Sequence, residues 1–215
     1  MPQRFTYSSR DVTGLLPEGW WEDIATAAAG ADFRHYPRAP ILSREAPDVT
    51  RIERGRVRAD AVQQRLPWLY KLYRTEFLEL AAEAWGEPVD VAIDDRYGVV
   101  LNVLRGTSMR FECHVDSNPV TGLLFFTDHR LGGGQLVVCH DPAAVGVAGL
   151  ERDCTIIEPE AGQIIFFDGK TFPHYVRELT SDSDVRIVAV MNFYTRSCPE
   201  STRPAELNRH LFGDD

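Results

Sequence analysis

The chain has no apolar run approaching the ~20 residues that a membrane-spanning helix requires, so no membrane association is expected. Met1 to Arg10 is polar and lacks the apolar stretch of an export signal. Cysteine is scarce: Cys113, Cys139, Cys154 and Cys198 are the whole set, and no two form a CxxC pair. That spacing argues against a zinc knuckle, and no short secreted disulfide framework is visible. A cytoplasmic location with free thiols is the simplest expectation. Basic residues are also in deficit: 23 Lys and Arg face 32 Asp and Glu, a formal charge of −9. With no basic, aromatic-rich stripe to offset this, nucleic acid is not expected as a partner. A small ligand remains compatible, because a site can be locally basic on an acidic protein. Internal repeats and low-complexity tracts are absent.

What is present is an ordinary globular balance over 215 residues, with 44% hydrophobic and 26% charged side chains. This suits a single domain spanning 1–215: a helical and loop-rich part at 1–88, a β core at 89–197 and a tail at 198–215. In the first part, Trp20 to Gly30 reads as a short helix stopped by glycine. The stretch 31–60, with Pro37, Pro40 and Pro47, reads as a long loop, either a substrate lid or a surface excursion. Its arginines, Arg34, Arg38, Arg44, Arg51, Arg54, Arg56 and Arg58, are expected to be mostly solvated, with one of them free to hold a substrate carboxylate. Val62, Leu66, Leu69, Tyr73, Phe77, Leu80 and Ala84 recur at helical spacing over 60–86, with Pro67 in a first turn and Gly86 as the stop.

From Val89 the period changes to two. Strands are expected at 89–93, 98–105, 109–114, 121–127, 134–139, 154–157, 163–167, 174–179 and 185–194, separated by turn residues. Gly132 to Gly134 reads as a turn and not a phosphate loop, because no Lys-Ser/Thr follows. This many short strands predicts a mainly β fold with flanking helices: a jelly roll, that is, a cupin-like double-stranded β-helix. Trp20, Trp21, Trp68 and Trp85 are expected in the core, and a short last helix near 205–211.

The chemistry is carried by ECHVDSNP at 112–119. Residues two apart on a strand face the same way, so His114 and Asp116 point to one side. The best third ligand is His174, in KTFPHYVREL. His129 reads as a solvated turn residue and His140 as a strand end. Two histidines and one carboxylate leave adjacent coordination positions open, as Fe(II) oxygenases require. Arg186, Val188, Val190, Asn192 and Tyr194 share one face of an otherwise apolar strand. An arginine buried there needs an anion, and its fork suits a carboxylate.

The order Asn102, HxD, Gly-rich turn, Gly162-x-x-x-Phe166, His174, Arg186 resembles the Fe(II)/2-oxoglutarate-dependent dioxygenases. The segment YGVVLNVLRGTSMRFECHVDSNPVTGLLFFTDHRLGGGQLVV looks like the front of that fold in its prolyl-hydroxylase-like branch, and PEAGQIIFFDGKTFPHYVREL like its back half. The resemblance implies iron ligation by His114, Asp116 and His174, a grip on 2-oxoglutarate by Arg186, and a hydrogen bond to the cosubstrate from Asn102. O2 is the other cosubstrate. HVDSNPVTGLLFFTDH looks most like small bacterial enzymes that hydroxylate or chlorinate free amino acids. Halogenating members lack the carboxylate, whereas Asp116 is kept here. The expected reaction is therefore hydroxylation of an unactivated C–H in a small molecule, a free amino acid or a derivative, with succinate and CO2 as co-products. Alternatives are halogenation or desaturation at the same iron, a peptide or protein hydroxylase, and a non-enzymatic cupin-like binding protein.

Overall fold

In the computed structural model, which describes residues 4–39, 41–129 and 132–207, alternating apolar residues and turn-forming breaks divide the chain into twelve strands and five helices. They are β1 (Tyr7–Asp11), α1 (Trp20–Ala29), β2 (Asp32–Pro37), β3 (Arg51–Val57), α2 (Ala59–Arg65), α3 (Pro67–Arg74), α4 (Glu76–Trp85), β4 (Val89–Val91), β5 (Val99–Arg105), β6 (Phe111–His114), β7 (Val120–Phe125), β8 (Leu136–Cys139), the single turn α5 (Val147–Leu150), β9 (Cys154–Ile157), β10 (Gln163–Phe167), β11 (His174–Val176) and β12 (Val185–Thr195). Among the described residues, all strand pairs are antiparallel. The large sheet runs β1-β10-β7-β12-β5-β3-β2, with β4 also on β12, and the small sheet runs β6-β11-β8-β9. This is the expected jelly roll.

Two apolar layers hold it together. Leu104, Leu123, Phe125, Leu136, Val138, Ile165, Phe167, Val176 and Val188 fill the space between the sheets. On the outer face of the large sheet, Ile24, Leu69, Tyr73 and Phe77 of the helices pack on Leu101, Val103, Leu124 and Met191. Each such side chain contributes about 1.5–3 kcal/mol on burial. Among the described residues, no helix is long and apolar enough to cross a membrane.

The helical pattern over 60–86 is three helices, and one of them begins at Pro67 as expected. Pro67 has no N–H and disfavours helical geometry in the residue before it, and Leu66 accordingly sits at φ −127°, ψ 55°. A second break falls at Thr75, with φ −127° and ψ −97°. The first 88 residues are also not only helix and loop: β1, β2 and β3 join the large sheet. Arg54 and Arg56, expected to be solvated, are buried on β3. Trp21 is 42% exposed, not core, whereas Trp20 and Trp68 pack on Phe126. The expected last helix begins with helical residues 205–207 and otherwise lies outside the described residues.

Candidate metal centre

Three residues that the sequence marked as ligands meet where the small sheet faces the large one. His114 ends β6, His174 begins β11, and the two are direct cross-strand partners. Their ring centroids are 4.3 Å apart. Asp116 closes the triangle, with Oδ1 3.4 Å from His114 Nε2 and Oδ2 3.5 Å from His174 Nε2. One ligand atom from each residue lies within 4.8 Å of the others.

Backbone groups fix which nitrogen each ring offers. His114 Nδ1 donates to the Glu112 carbonyl at 2.6 Å and His174 Nδ1 to the Phe172 carbonyl at 3.0 Å. Both Nε2 lone pairs therefore face Asp116, the orienting role that outer hydrogen bonds play at metal-binding histidines. Asp116 is itself positioned. Its N–H donates to the Gly169 carbonyl at 2.8 Å, and Thr121 Oγ1 donates to Oδ2 at 2.5 Å while accepting from Asn118 Nδ2 at 3.0 Å. Gly169 is required by space: a Cβ there would stand 2.2 Å from Asp116 Oδ2 and 2.6 Å from Thr121 Oγ1.

The electrostatics favour a metal-ready donor set. Burial opposes ionisation of Asp116, but His174, His114 and the Thr121 hydroxyl outweigh it and hold the carboxyl below the usual range. Burial, reinforced by His114, pushes His174 down to about 4. Burial opposes protonation of His114, but Asp116 and then Glu112 outweigh it and raise its imidazole, so the donor set is a carboxylate, a neutral His174 and a His114 whose proton a divalent cation would displace.

Beside the triad is a cavity of about 150 Å³. Arg186 and Asn102 line it, with Val188, Val190 and Asn192 of the predicted β12 face, while Tyr194 is buried away from it against Ala92 and Tyr97. Arg186 is only 2% exposed. Its Nε donates to the Gly134 carbonyl at 2.8 Å, its guanidinium lies 5.6 Å from the Phe125 ring centroid, and Nη2 is buried without a hydrogen bond. Burial alone pushes it down to about 9. Among the described residues, no carboxylate pairs with it. Gly134, at φ +70°, makes the close approach possible, since a Cβ would crowd Arg186 Cδ at 3.1 Å. Asn102 lies between Val188 of β12 and Arg56 of β3 in register.

The described residues of the segment after β2 are held against β6. Arg110 and Glu45 form a two-pronged pair at 2.6 and 2.9 Å, and Glu45 also accepts from the Cys113 N–H. The segment runs along β6 through Arg44 N–H to Cys113 O and Val115 N–H to Leu42 O, so Ala39 and Leu42 become cavity wall. His129, expected in solvent, is buried against Thr127 and lies outside the cavity; His140 is a strand-end residue paired with Asp153. Cys113 is the small buried side chain it was taken for. Of the wall residues Arg54, Arg56 and Arg203, the sequence marked the first two only within a mostly solvated arginine-rich stretch, and Arg203 not at all. The alternation Ile52, Arg54, Arg56 about Gly55 was the available signal for a strand with a polar face.

No protein-family profile matches the sequence, and no curated protein matches it significantly. Solved structures do match. AviO1 from Streptomyces viridochromogenes Tue57 is 17% identical over 94% of both chains, with a TM-score of 0.63. The epimerase SnoN, in complex with Fe3+, alpha-ketoglutarate and nogalamycin RO, is 15% identical over 99% of this chain and 88% of its own, also at 0.63. A 2OG-Fe(II) oxygenase family oxidoreductase from Burkholderia pseudomallei is 14% identical, covers 92% of this chain and 89% of its own, and scores 0.60. This chain has the fold of the 2OG-Fe(II) oxygenases. Its His-Asp-His cluster lies at the end of the small sheet of that fold, where β6 and β11 pair.

Proposed function

We propose that the chain is an Fe(II)- and 2-oxoglutarate-dependent dioxygenase that hydroxylates an unactivated C–H of a small molecule, with a free amino acid or a derivative as the leading substrate class. The observation that carries this is the pairing of a two-imidazole, one-carboxylate cluster with a buried arginine that holds an unused hydrogen-bond donor in the same cavity. His114, Asp116 and His174 would hold the iron. Arg186 would receive the distal carboxylate of 2-oxoglutarate, an anion of the charge and shape its fork accepts. Asn102 is assigned a hydrogen bond to the same cosubstrate. Iron with 2-oxoglutarate supplies O2 activation coupled to decarboxylation, so that R–H, O2 and 2-oxoglutarate give R–OH, succinate and CO2.

The protein's part is positioning and exclusion of water. The backbone carbonyls of Glu112 and Phe172 keep both Nε2 atoms aimed at the metal position. Thr121 and Asn118 keep Asp116 turned toward them. Leu123, Leu136, Val176, Val188 and Val190 supply a dry wall around the reacting carbon. The retained carboxylate of Asp116 favours hydroxylation over chlorination. The fold likeness to an alpha-ketoglutarate-dependent epimerase keeps outcomes without oxygen insertion as the second reading.

Anaerobic reconstitution with Fe(II) and 2-oxoglutarate, followed by O2 and an amino-acid panel, tests the reading. Succinate should form in step with a product heavier by one oxygen atom, about 16 Da. Product without that mass gain would indicate desaturation or epimerisation. Absence of succinate under every condition would end the proposal.

A further inference from the structure

The cavity beside the triad is far more basic than the chain around it. Its described lining holds four arginines, Arg54, Arg56, Arg186 and Arg203, against two carboxylates, Glu112 and Asp116.

Arg54 and Arg56 stand on one face of β3, either side of Gly55, and are 5% and 9% exposed. The Arg54 guanidinium lies between two rings, 4.6 Å from the Tyr36 centroid and 4.3 Å from that of Phe111. Rings on its faces leave its edge for hydrogen bonding. Arg54 Nη1 is buried with no hydrogen bond. The Glu112 carboxylate is 3.6 Å away, an ion pair but too long for a hydrogen bond, and Glu112 Oε1 already accepts from the Ala39 N–H. Arg56 is pushed down to about 10 by burial and then by Arg54, which marks two like charges held close together.

This pair is separate from Arg186. Arg186 is on β12 and Arg56 on β3, with β5 between them. A 2-oxoglutarate that uses one carboxylate at the metal and the other at Arg186 has no third anion to offer. Phe111, which packs on Arg54, also packs on the His114 ring at 5.3 Å, so an anion at this pair is one ring away from the triad.

We propose that Arg54 and Arg56 form an oxyanion subsite for the substrate, taking a carboxylate or a phosphate group, and so restrict the site to anionic small molecules. The claim that the bound molecule is then oxidised rests on the oxygenase reading above; the binding does not.

Titration calorimetry of the metal-free protein separates the two. The probes are amino acids against their primary amides, and phosphate monoesters against their parent alcohols. At least one acid should bind tenfold or more tightly than its neutral partner, and which series does so distinguishes carboxylate from phosphate. Arg56→Met should abolish that preference, Arg54→Lys should weaken it, and Arg186→Met should leave it intact. Neutral partners binding as well as acids, or a preference that follows Arg186 and not Arg56, would overturn the subsite. Succinate formation by the wild-type protein with Fe(II), 2-oxoglutarate and O2 is read separately. If it makes none with any substrate, the oxygenase reading fails, and the titration still decides the subsite.

Discussion

Arg186→Met separates the burden of a buried cation from its use. The guanidinium sits in a cavity with one hydrogen bond and, among the described residues, no carboxylate partner, and burial pushes it down to about 9, well below the usual guanidinium range. At about 1.4 kcal/mol per pKa unit this corresponds to roughly 5 kcal/mol of lost stability. The sign follows from the direction. The penalty is complete at any pH below the depressed value, where Arg186 is charged folded and unfolded, and it is relieved only as pH rises through about 9. Near neutral pH, methionine removes all of it. Against that gain, the Gly134 carbonyl loses its donor, a loss of about 1–3 kcal/mol. The net is a stabilisation of about 2–4 kcal/mol, or roughly 4–16 °C in melting temperature for a chain of this size. The same change removes charged hydrogen bonds worth about 1.5–3 kcal/mol to a bound carboxylate, a rise in the KM for 2-oxoglutarate of roughly 10- to 150-fold. Thermal unfolding with and without 2-oxoglutarate reads both effects: the variant should melt higher when empty and gain little from the cosubstrate. An empty variant that melts lower than wild type, with cosubstrate protection unchanged, would refute the assignment.

Gly169→Ala should keep the fold but displace Asp116, whose Oδ2 a new Cβ would meet at 2.2 Å; metal affinity should fall about 10- to 100-fold by equilibrium dialysis with Co(II) or Fe(II). Asp116→Ala should lose tight metal binding, read the same way, with an unchanged circular dichroism spectrum. Glu45→Gln should destabilise the protein by roughly 3 kcal/mol at neutral pH, because it strips a buried pair with Arg110. Burial raises the Glu45 carboxyl, but Arg110 and the Cys113 N–H lower it further. Its stabilisation is therefore present above the ordinary carboxylate range and lost as pH falls through the depressed value. The melting-temperature gap between variant and wild type should close in acid.

Much of the β core was legible because its strands are short apolar runs bounded by glycine, proline and Ser-Asp turns. β9 and β10 fall where expected, and β5 and β12 differ by one residue at an end. The triad was legible because period-two spacing puts His114 and Asp116 on one side, and only His174 had the downstream arginine. What escaped was structure whose buried face is polar. β3 reads as solvated because its inward residues are arginines, and they point into a cavity and not an apolar core. β1 and β2 carry few apolar residues because they are edge strands, where one face and one row of backbone groups stay in water. The helical pattern survived both breaks at 66 and 75 because the apolar stripe continues across them even though the backbone hydrogen bonds do not.

The proposed anchor points sit on different walls: the metal-binding trio at the end of the small sheet, the terminal guanidinium on β12 of the large one. Facing sheets keep a spacing of about 10 Å, set by the side chains packed between them. A keto-diacid held at both ends would then be gauged by that spacing, like a spar cut to fit between two ribs. One carbon more or fewer would leave an end unsupported. Phe125, Val138 and Val188, which pack between the sheets, would thus help decide which keto-acid the protein accepts, simply by holding the ribs apart.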